Sequence, residues 1–424
     1  MAPPDRAVRD WPGARTVGRS YSLPPVRLSA PPAPLRVALV GTARYPLREP
    51  FVGGLAAHVV GLARGLAARG HAVTLFAPAG SAVGGGVRVA PFCTASGLDY
   101  SEAARGDVSM LAEPFMREHH AALSLMLGLG RGAWGPFDVV HNHSLHHLPI
   151  AMAPAVDAAH VTTLHAPPTP WQESAFACLP EFDRPAAVTV SLANRALWRA
   201  AVPTCGVVPN GVSLARWTFS AAADPGLAVW AGRIVPEKGP HLAVDAARAA
   251  GLRLRLVGPV HDRAYYDAEV APRLGPDVEV VGHASHAELA RHYGAAAVAL
   301  STARWEEPYG LTLVEALACG TPVAAFQRGA APELVTDTTG RLAAPDDAAD
   351  LARAAREAAA LDRRACRRWV EAHASERVMI DRYLALYRRL VADRAPAPPR
   401  PMRLVRGTGG VDALGADPAV SAEA

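Results

Sequence analysis

Lysine is almost missing from this chain. Of its 43 lysine and arginine side chains only Lys238 is lysine, inside W-A-G-R-I-V-P-E-K-G. Lysine offers a compact point charge on a flexible stem, and arginine a planar fork, so Lys238 and Arg233, five positions apart, bring two different cations to one strand-to-helix junction. Cysteine is sparse too. Cys93, Cys178, Cys205, Cys319 and Cys366 form no C-x-x-C pair, which excludes a disulfide framework or a zinc knuckle and sets a reducing cytoplasm as the expected compartment. No apolar run reaches the roughly 18 residues of a membrane span, and the N-terminus lacks the basic-then-apolar order of a signal peptide. Peripheral contact with an anionic membrane stays open. The net charge of +4 comes mostly from the first 34 residues, where five Arg face two Asp, so the body carries no nucleic-acid footprint.

Half of the 424 residues are apolar, enough for sizeable cores and two or three domains. The Pro- and Arg-rich stretch 1–34 and the stretch 394–424, which opens A-P-A-P-P-R-P, have little apolar periodicity and read as disordered tails. Between them, short apolar runs alternate with helical patterns, the signature of parallel sheets built from strand-helix-strand units. Strands are expected at Leu35–Gly41, Ala72–Phe76, Asp138–His141, Val161–Leu164 and Ala187–Val190. A helical stripe of Leu55, Val59, Leu62 and Leu66 follows the first, and Gly70 stops it. The pattern restarts with strands at Leu227–Ala231, Leu254–Val257, Val278–Val281 and Ala297–Leu300 and a helix around His241–Ala250. The reading is therefore α/β, two tandem Rossmann-like doubly wound domains over 35–211 and 212–374. A helix over 375–393 could pack back on the first domain. Such a pair leaves a cleft where the carboxyl ends of both sheets face each other, the ligand position in these sheets. The loops about 41–53, 91–135 and 165–185 would border that cleft from the first domain.

The densest chemical signal is W-E-E-P-Y-G-L-T-L-V-E-A-L-A-C-G-T-P-V, residues 305–323. Glu307 precedes an apolar helix from about Leu311 to Cys319, and Glu315 lies a turn inside it. The amides of Gly310, Leu311 and Thr312 at that helix start form an anion site, flanked by carboxylates that can accept hydrogen bonds from sugar hydroxyls. Glutamate near a helix start also merely complements the macrodipole, but that explains neither Gly310 nor the partnership with Arg233 and Lys238. The cluster H-N-H-S-L-H-H at 141–147 places four imidazoles in seven positions. It follows a strand on the cleft side with no nearby acids in the sequence to orient metal-bound imidazoles, so no metal is assigned to it and its polar groups are expected to line a ligand pocket. His58 and His71 read as helix or loop residues rather than ligands.

These residues resemble the nucleotide-sugar glycosyltransferases of GT-B fold, specifically glycosyltransferase family 4. The resemblance spans about residues 35–391, through G-G-L-A-A-H-V (53–59), V-V-P-N-G-V (207–212), A-G-R-I-V-P-E-K-G (231–239), L-V-G-P (256–259) and E-P-Y-G-L-T-L-V-E-A-L-A-C-G-T-P-V (307–323). It implies a donor held by the second domain, with Arg233 and Lys238 on the diphosphate, Glu315 on the ribose and Glu307, helped by the 310–312 amides, on the sugar. Gly53 and Gly54 would let backbone approach the phosphates or acceptor, and His165 in T-L-H-A-P-P looks like the family histidine near the transferred sugar. The family usually retains anomeric configuration without a metal, which implies no cofactor beyond the nucleotide sugar as co-substrate. Uridine diphosphate glucose is the preferred donor by family frequency, and the acceptor is a small molecule or a cell-envelope glycan. The chain departs from the family in L-S-T-A-R-W-E-E, where Pro-Ser is often found, and in Ser213, where an acidic residue is common. Two other readings are a donor-binding pseudoenzyme and a phosphorylase carrying pyridoxal phosphate on Lys238.

Overall fold

The computed structural model describes residues 33–51, 53–92, 101–105 and 112–394. The tails expected at 1–34 and 394–424 fall almost wholly outside these residues, as does Cys93. The apolar runs become strands because each can be covered on both faces, as parallel sheets require. The first sheet contains β1 (Arg36–Val40), β2 (Ala72–Ala77), β3 (Arg88–Pro91), β4 (Val139–Asn142), β5 (Ala159–Leu164), β6 (Ala186–Thr189) and β7 (Gly206–Val207), in spatial order β3-β2-β1-β4-β5-β6-β7. The second contains β8 (Asp224–Ala231), β9 (Arg253–Val257), β10 (Val278–Gly282), β11 (Ala296–Ser301), β12 (Val323–Phe326) and β13 (Gly340–Ala343), in order β10-β9-β8-β11-β12-β13. All pairings within both sheets are parallel. Each sheet turns back beside its first strand, which opens a crevice at the carboxyl ends, and the doubly wound fold class is therefore what these residues adopt.

Two parts of the acceptor-side region are not loops. An 18-residue helix fills Glu113–Gly130, where Ala121, Ala122, Leu125, Met126 and Leu129 bury one face against the sheet, and a second helix spans Pro170–Ala177. The apolar stripe was present in the sequence, but interleaved His, Arg and Gly diluted it. β3, β7, β12 and β13, two to four residues long, are additional to the strands expected from the sequence.

The chain passes between the domains twice, side by side. The Val212 amide donates to Ala374 O at 2.9 Å, and the Glu376 amide donates back to Val212 O at 3.0 Å. The final helix, Glu376–Asp393, then returns to the first domain, where Met379, Ile380, Tyr383, Leu384 and Tyr387 join the core built around the Gly54–Ala68 helix. Among the described residues no helix is long and apolar enough to cross a membrane.

Candidate active site

Strand β8 ends at Ala231, and a short turn, Pro236–Lys238, leads into the helix Pro240–Ala250. Two hydrogen bonds fix the turn from below. Thr302, just after β11, donates to Lys238 O at 2.8 Å and accepts from Trp230 Nε1 at 2.9 Å. Lys238 is thereby turned onto the carboxylate of Glu307, 69 positions later, with which it forms an ion pair. Trp305 closes the group: its indole N–H donates to the same carboxylate oxygen at 3.0 Å, and its ring lies 5.2 Å from the ammonium. Trp305 belongs to the W-E-E-P-Y-G motif, whose spacing alone does not reveal this role.

Glu307 is held by its backbone as well. The Ala330 amide donates to Glu307 O at 2.9 Å, and Gly329 takes φ 56° in direct contact with that backbone. A Cβ on Gly329 would lie 2.4 Å from Glu307 N and 2.5 Å from its O, so only glycine fits. Glu306 does different work, accepting the Gly329 amide at 2.9 Å, which resolves which of the two adjacent glutamates faces the lysine.

Three residues on, Gly310 adopts φ 91° as N-cap of the helix Leu311–Ala318, with no side-chain cap, so its first amides remain free to bind an anion. Glu315 sits inside that helix. Burial pushes its carboxyl from the ordinary 4.5 up to about 7, and the charge of Arg216 pulls the other way. Arg233 is more remote and exposed, its guanidinium 3.4 Å from Glu237.

The first domain meets this group directly. Gly53 is exposed in an extended conformation, and Gly54 opens the helix Gly54–Ala68, where a Cβ would lie 2.6 Å from Leu311 Cδ1. Ala193, Asn194 and Leu197 of the Leu192–Trp198 helix share a cleft pocket with Glu306, Glu307, Pro308 and Gly329. Glu333, overlooked in the sequence, crosses the same gap and accepts from the amides of Leu192 at 2.8 Å and Ala193 at 2.7 Å.

The histidines divide into two groups. At the end of β5, His165 Nε2 contacts His143 Nδ1 at 2.9 Å, and His143 Nε2 contacts His141 Nδ1 at 3.1 Å. His141 continues to Tyr387 OH at 2.5 Å and Thr163 Oγ1 at 2.7 Å, and Thr163 to Tyr383 OH at 3.0 Å. Burial lowers the pKa of His141, His143 and His165 well below the usual range, so all three are neutral. Each neutral imidazole carries one proton, so every contact along this row joins one donor to one acceptor. His58, on the Gly54–Ala68 helix, packs its ring against His143 and His165 with centroids 5.2 and 4.8 Å apart, while neither of its buried nitrogens has a partner. Burial lowers its pKa to about 4. The reading of His58 as an ordinary helix residue is thus incomplete.

The second group is His119, His146 and His147. Each triad, His58–His143–His165 and His119–His146–His147, brings one nitrogen per residue within 4.8 Å of the others, near enough to share a cation. In the second triad, however, His146 Nδ1 accepts from the Leu148 amide at 3.2 Å, which leaves the proton on Nε2.

Residues 52–216 match the family model Glycosyltransferase Family 4, and residues 215–375 match Glycosyl transferases group 1. A glycogen synthase of Mycobacterium tuberculosis is 31% identical over 360 residues, covering 74% of this chain and 85% of the relative. A D-inositol 3-phosphate glycosyltransferase of Geodermatophilus obscurus is 30% identical over 444 aligned positions, covering 90% and 97%. A glycosyltransferase of avilamycin A biosynthesis superposes with a TM-score of 0.61 at 25% identity, covering 85% of this chain and 98% of the other. An Anabaena protein solved with UDP and glucose shares the fold at 15% identity, with a TM-score of 0.63 and coverage of 84% and 100%.

Proposed function

Since the chain belongs to the nucleotide-sugar glycosyltransferases of GT-B fold, family 4, we propose that it transfers a hexose from a nucleoside diphosphate sugar with retention of configuration and without a metal. Uridine diphosphate glucose is the preferred donor. The observation that carries this reading is the Lys238–Glu307 pair beside the uncapped Leu311–Ala318 helix start, which joins a cation, a carboxylate and free amides at one mouth of the cleft.

In the ligand-free protein Glu307 neutralises Lys238. A donor diphosphate competes for that ammonium and for the 310–312 amides, with Arg233 reaching in from the exposed edge, which frees Glu307 to accept hydroxyls of the sugar. Glu315 takes the ribose hydroxyls. The bond between the anomeric carbon and the phosphate oxygen breaks while the acceptor oxygen bonds to the same face, and the acceptor proton passes to the departing phosphate. Negative charge grows on the leaving group where the fixed cations and amides stand, which lowers the barrier. His165, its Nε2 in contact with His143, borders the transferred sugar, and Gly53 and Gly54 let backbone approach it. The acceptor is a small molecule or an envelope glycan. A Schiff base on Lys238 is disfavoured because its amine is engaged with the Glu307 carboxylate.

The test is a calorimetric screen of UDP, ADP and GDP and their glucose conjugates, followed by the anomeric configuration of the product and its yield in EDTA. UDP binding with a retained, EDTA-insensitive product is expected. Failure to bind any of the nucleotides overturns the reading.

A further inference from the structure

His58 lies on the Gly54–Ala68 helix, only 4% exposed, and neither of its ring nitrogens has a hydrogen-bond partner. Buried polar groups are almost always paired, and one that is not calls for an ion, a water or a role. Burial holds the ring neutral, its pKa lowered to about 4, so one of its nitrogens carries a bare lone pair. Two more neutral imidazoles stand beside it. His143, just past β4, and His165, just past β5, offer one nitrogen each, and the three ligand atoms lie within 4.8 Å of one another.

This set has the make-up of a metal site. Zinc bonds imidazole nitrogens at about 2.0–2.1 Å in a tetrahedron, which places two such nitrogens about 3.3 Å apart. His143 Nδ1 and His165 Nε2 already stand 2.9 Å apart, joined through one proton. A cation takes the place of that proton once the rings part by a few tenths of an ångström, while each ring keeps its own proton on its outer nitrogen. The outer nitrogen of His143 is provided for. It meets His141 at 3.1 Å, and His141 is anchored in turn by Tyr387 at 2.5 Å and Thr163 at 2.7 Å. Metal-bound imidazoles ordinarily have their second nitrogen held in this way, which fixes the aim of the ring. The sequence around 141–147 has no acids for that task, and this buried row supplies it instead. Three imidazoles without a carboxylate suit zinc rather than magnesium or calcium, which demand oxygen. His165 alone of the three is not fully buried, which leaves the fourth position to water.

We propose that His58, His143 and His165 form a zinc site that silences the enzyme, because a cation held there occupies the His165 nitrogen and closes the place of the transferred sugar. The transfer step itself uses no metal. The site stands on its geometry, whereas its effect on turnover rests on the transferase reading.

The test titrates zinc and magnesium into the chelator-washed full chain by calorimetry, and follows melting temperature and UDP-glucose turnover with and without zinc. Zinc should bind with one-to-one stoichiometry, raise the melting temperature by favouring the folded state, and cut turnover at least about tenfold until EDTA restores it; magnesium should do none of these. His58→Phe keeps the ring packing and deletes both nitrogens. It should weaken zinc by about a hundredfold or more and turn over at one rate with and without zinc. His58→Leu should behave alike with a smaller side chain. His119→Ala, in the other imidazole triad, should leave zinc affinity as in wild type. Zinc binding that is absent, or that survives both His58 substitutions, overturns the site. Zinc that binds through His58 without slowing turnover overturns the silencing. A chain that binds zinc through His58 yet turns over no nucleotide sugar overturns the transferase reading and leaves the site standing.

Discussion

Lys238 enters any encounter with a diphosphate already paired, so its worth to binding is the difference between two anions competing for one ammonium. Lys238→Met should therefore weaken UDP binding by about tenfold rather than abolish it, and should lower turnover further, because the leaving diphosphate carries more charge than the bound one. Glu307→Gln should do the reverse on binding. It removes the competitor for the ammonium, so UDP affinity should hold or rise while kcat falls about a hundredfold; equal losses in both would mean that Glu307 contributes only uniform binding. Glu315 makes a separate prediction through pH. Its carboxyl titrates near 7 in the folded chain and near 4.5 when unfolded, so the folded state holds an extra proton between those values. Stability from this group therefore falls as pH rises from about 4.5 to 7, by an amount on the order of 3 kcal/mol. Glu315→Gln should remove that fall, and its melting temperature relative to wild type should climb from pH 4.5 to 7.5. Ribose hydroxyls donate to the ionised form, so UDP binding at pH 6.5 should release a proton, read as a buffer-dependent calorimetric heat that Glu315→Gln lacks.

At the scale of elements, legibility followed burial. Strands β1, β2, β8 and β11 were readable because both their faces are covered and their apolar runs are continuous, whereas the Glu113–Gly130 helix covers one side and its stripe was diluted. The motif around Glu307 was equally legible, since its Pro and Gly are demanded by local backbone. What the sequence could not display is the service that a distant helix performs for His165. The Glu376–Asp393 helix ends the described chain yet supplies Tyr387 and Tyr383 to an imidazole row built from β4 and β5. Tyr387→Phe would strip a buried nitrogen of its hydroxyl partner and should cost about 1–3 kcal/mol in chemical denaturation. If the hydroxyl also sets the His165 tautomer through His141 and His143, kcat should fall with KM unchanged, and the pH profile should shift. A purely structural tyrosine would lower stability and leave both kinetic readouts alone.

At the scale of the whole molecule, polar contacts between the two domains among the described residues gather at the cleft. The Arg216 guanidinium reaches Glu49 of the first domain at 2.9 Å, Gly54 abuts Leu311, and the Glu333 carboxylate spans the gap to the first amides of the Leu192–Trp198 helix. Glu333 is the informative one. Burial raises its pKa, the two amide bonds work against that rise, and a carboxylate at a helix start is favoured by the dipole. Its two bonds cross between the domains and form only when these are close, and it lies on the segment that also carries Gly329, the residue pressed against Glu307. Glu333→Ala removes both bonds without touching Lys238 or Glu315. In solution scattering the variant should show a larger radius of gyration than wild type without nucleotide, and the difference should shrink on adding UDP, because a donor bridging the cleft supplies closing contacts of its own. Identical scattering in both proteins would mean that the Arg216–Glu49 pair, the packing of Phe51 and Gly54 on the second domain and the paired crossings at Val212 and Glu376 fix the domain angle without Glu333.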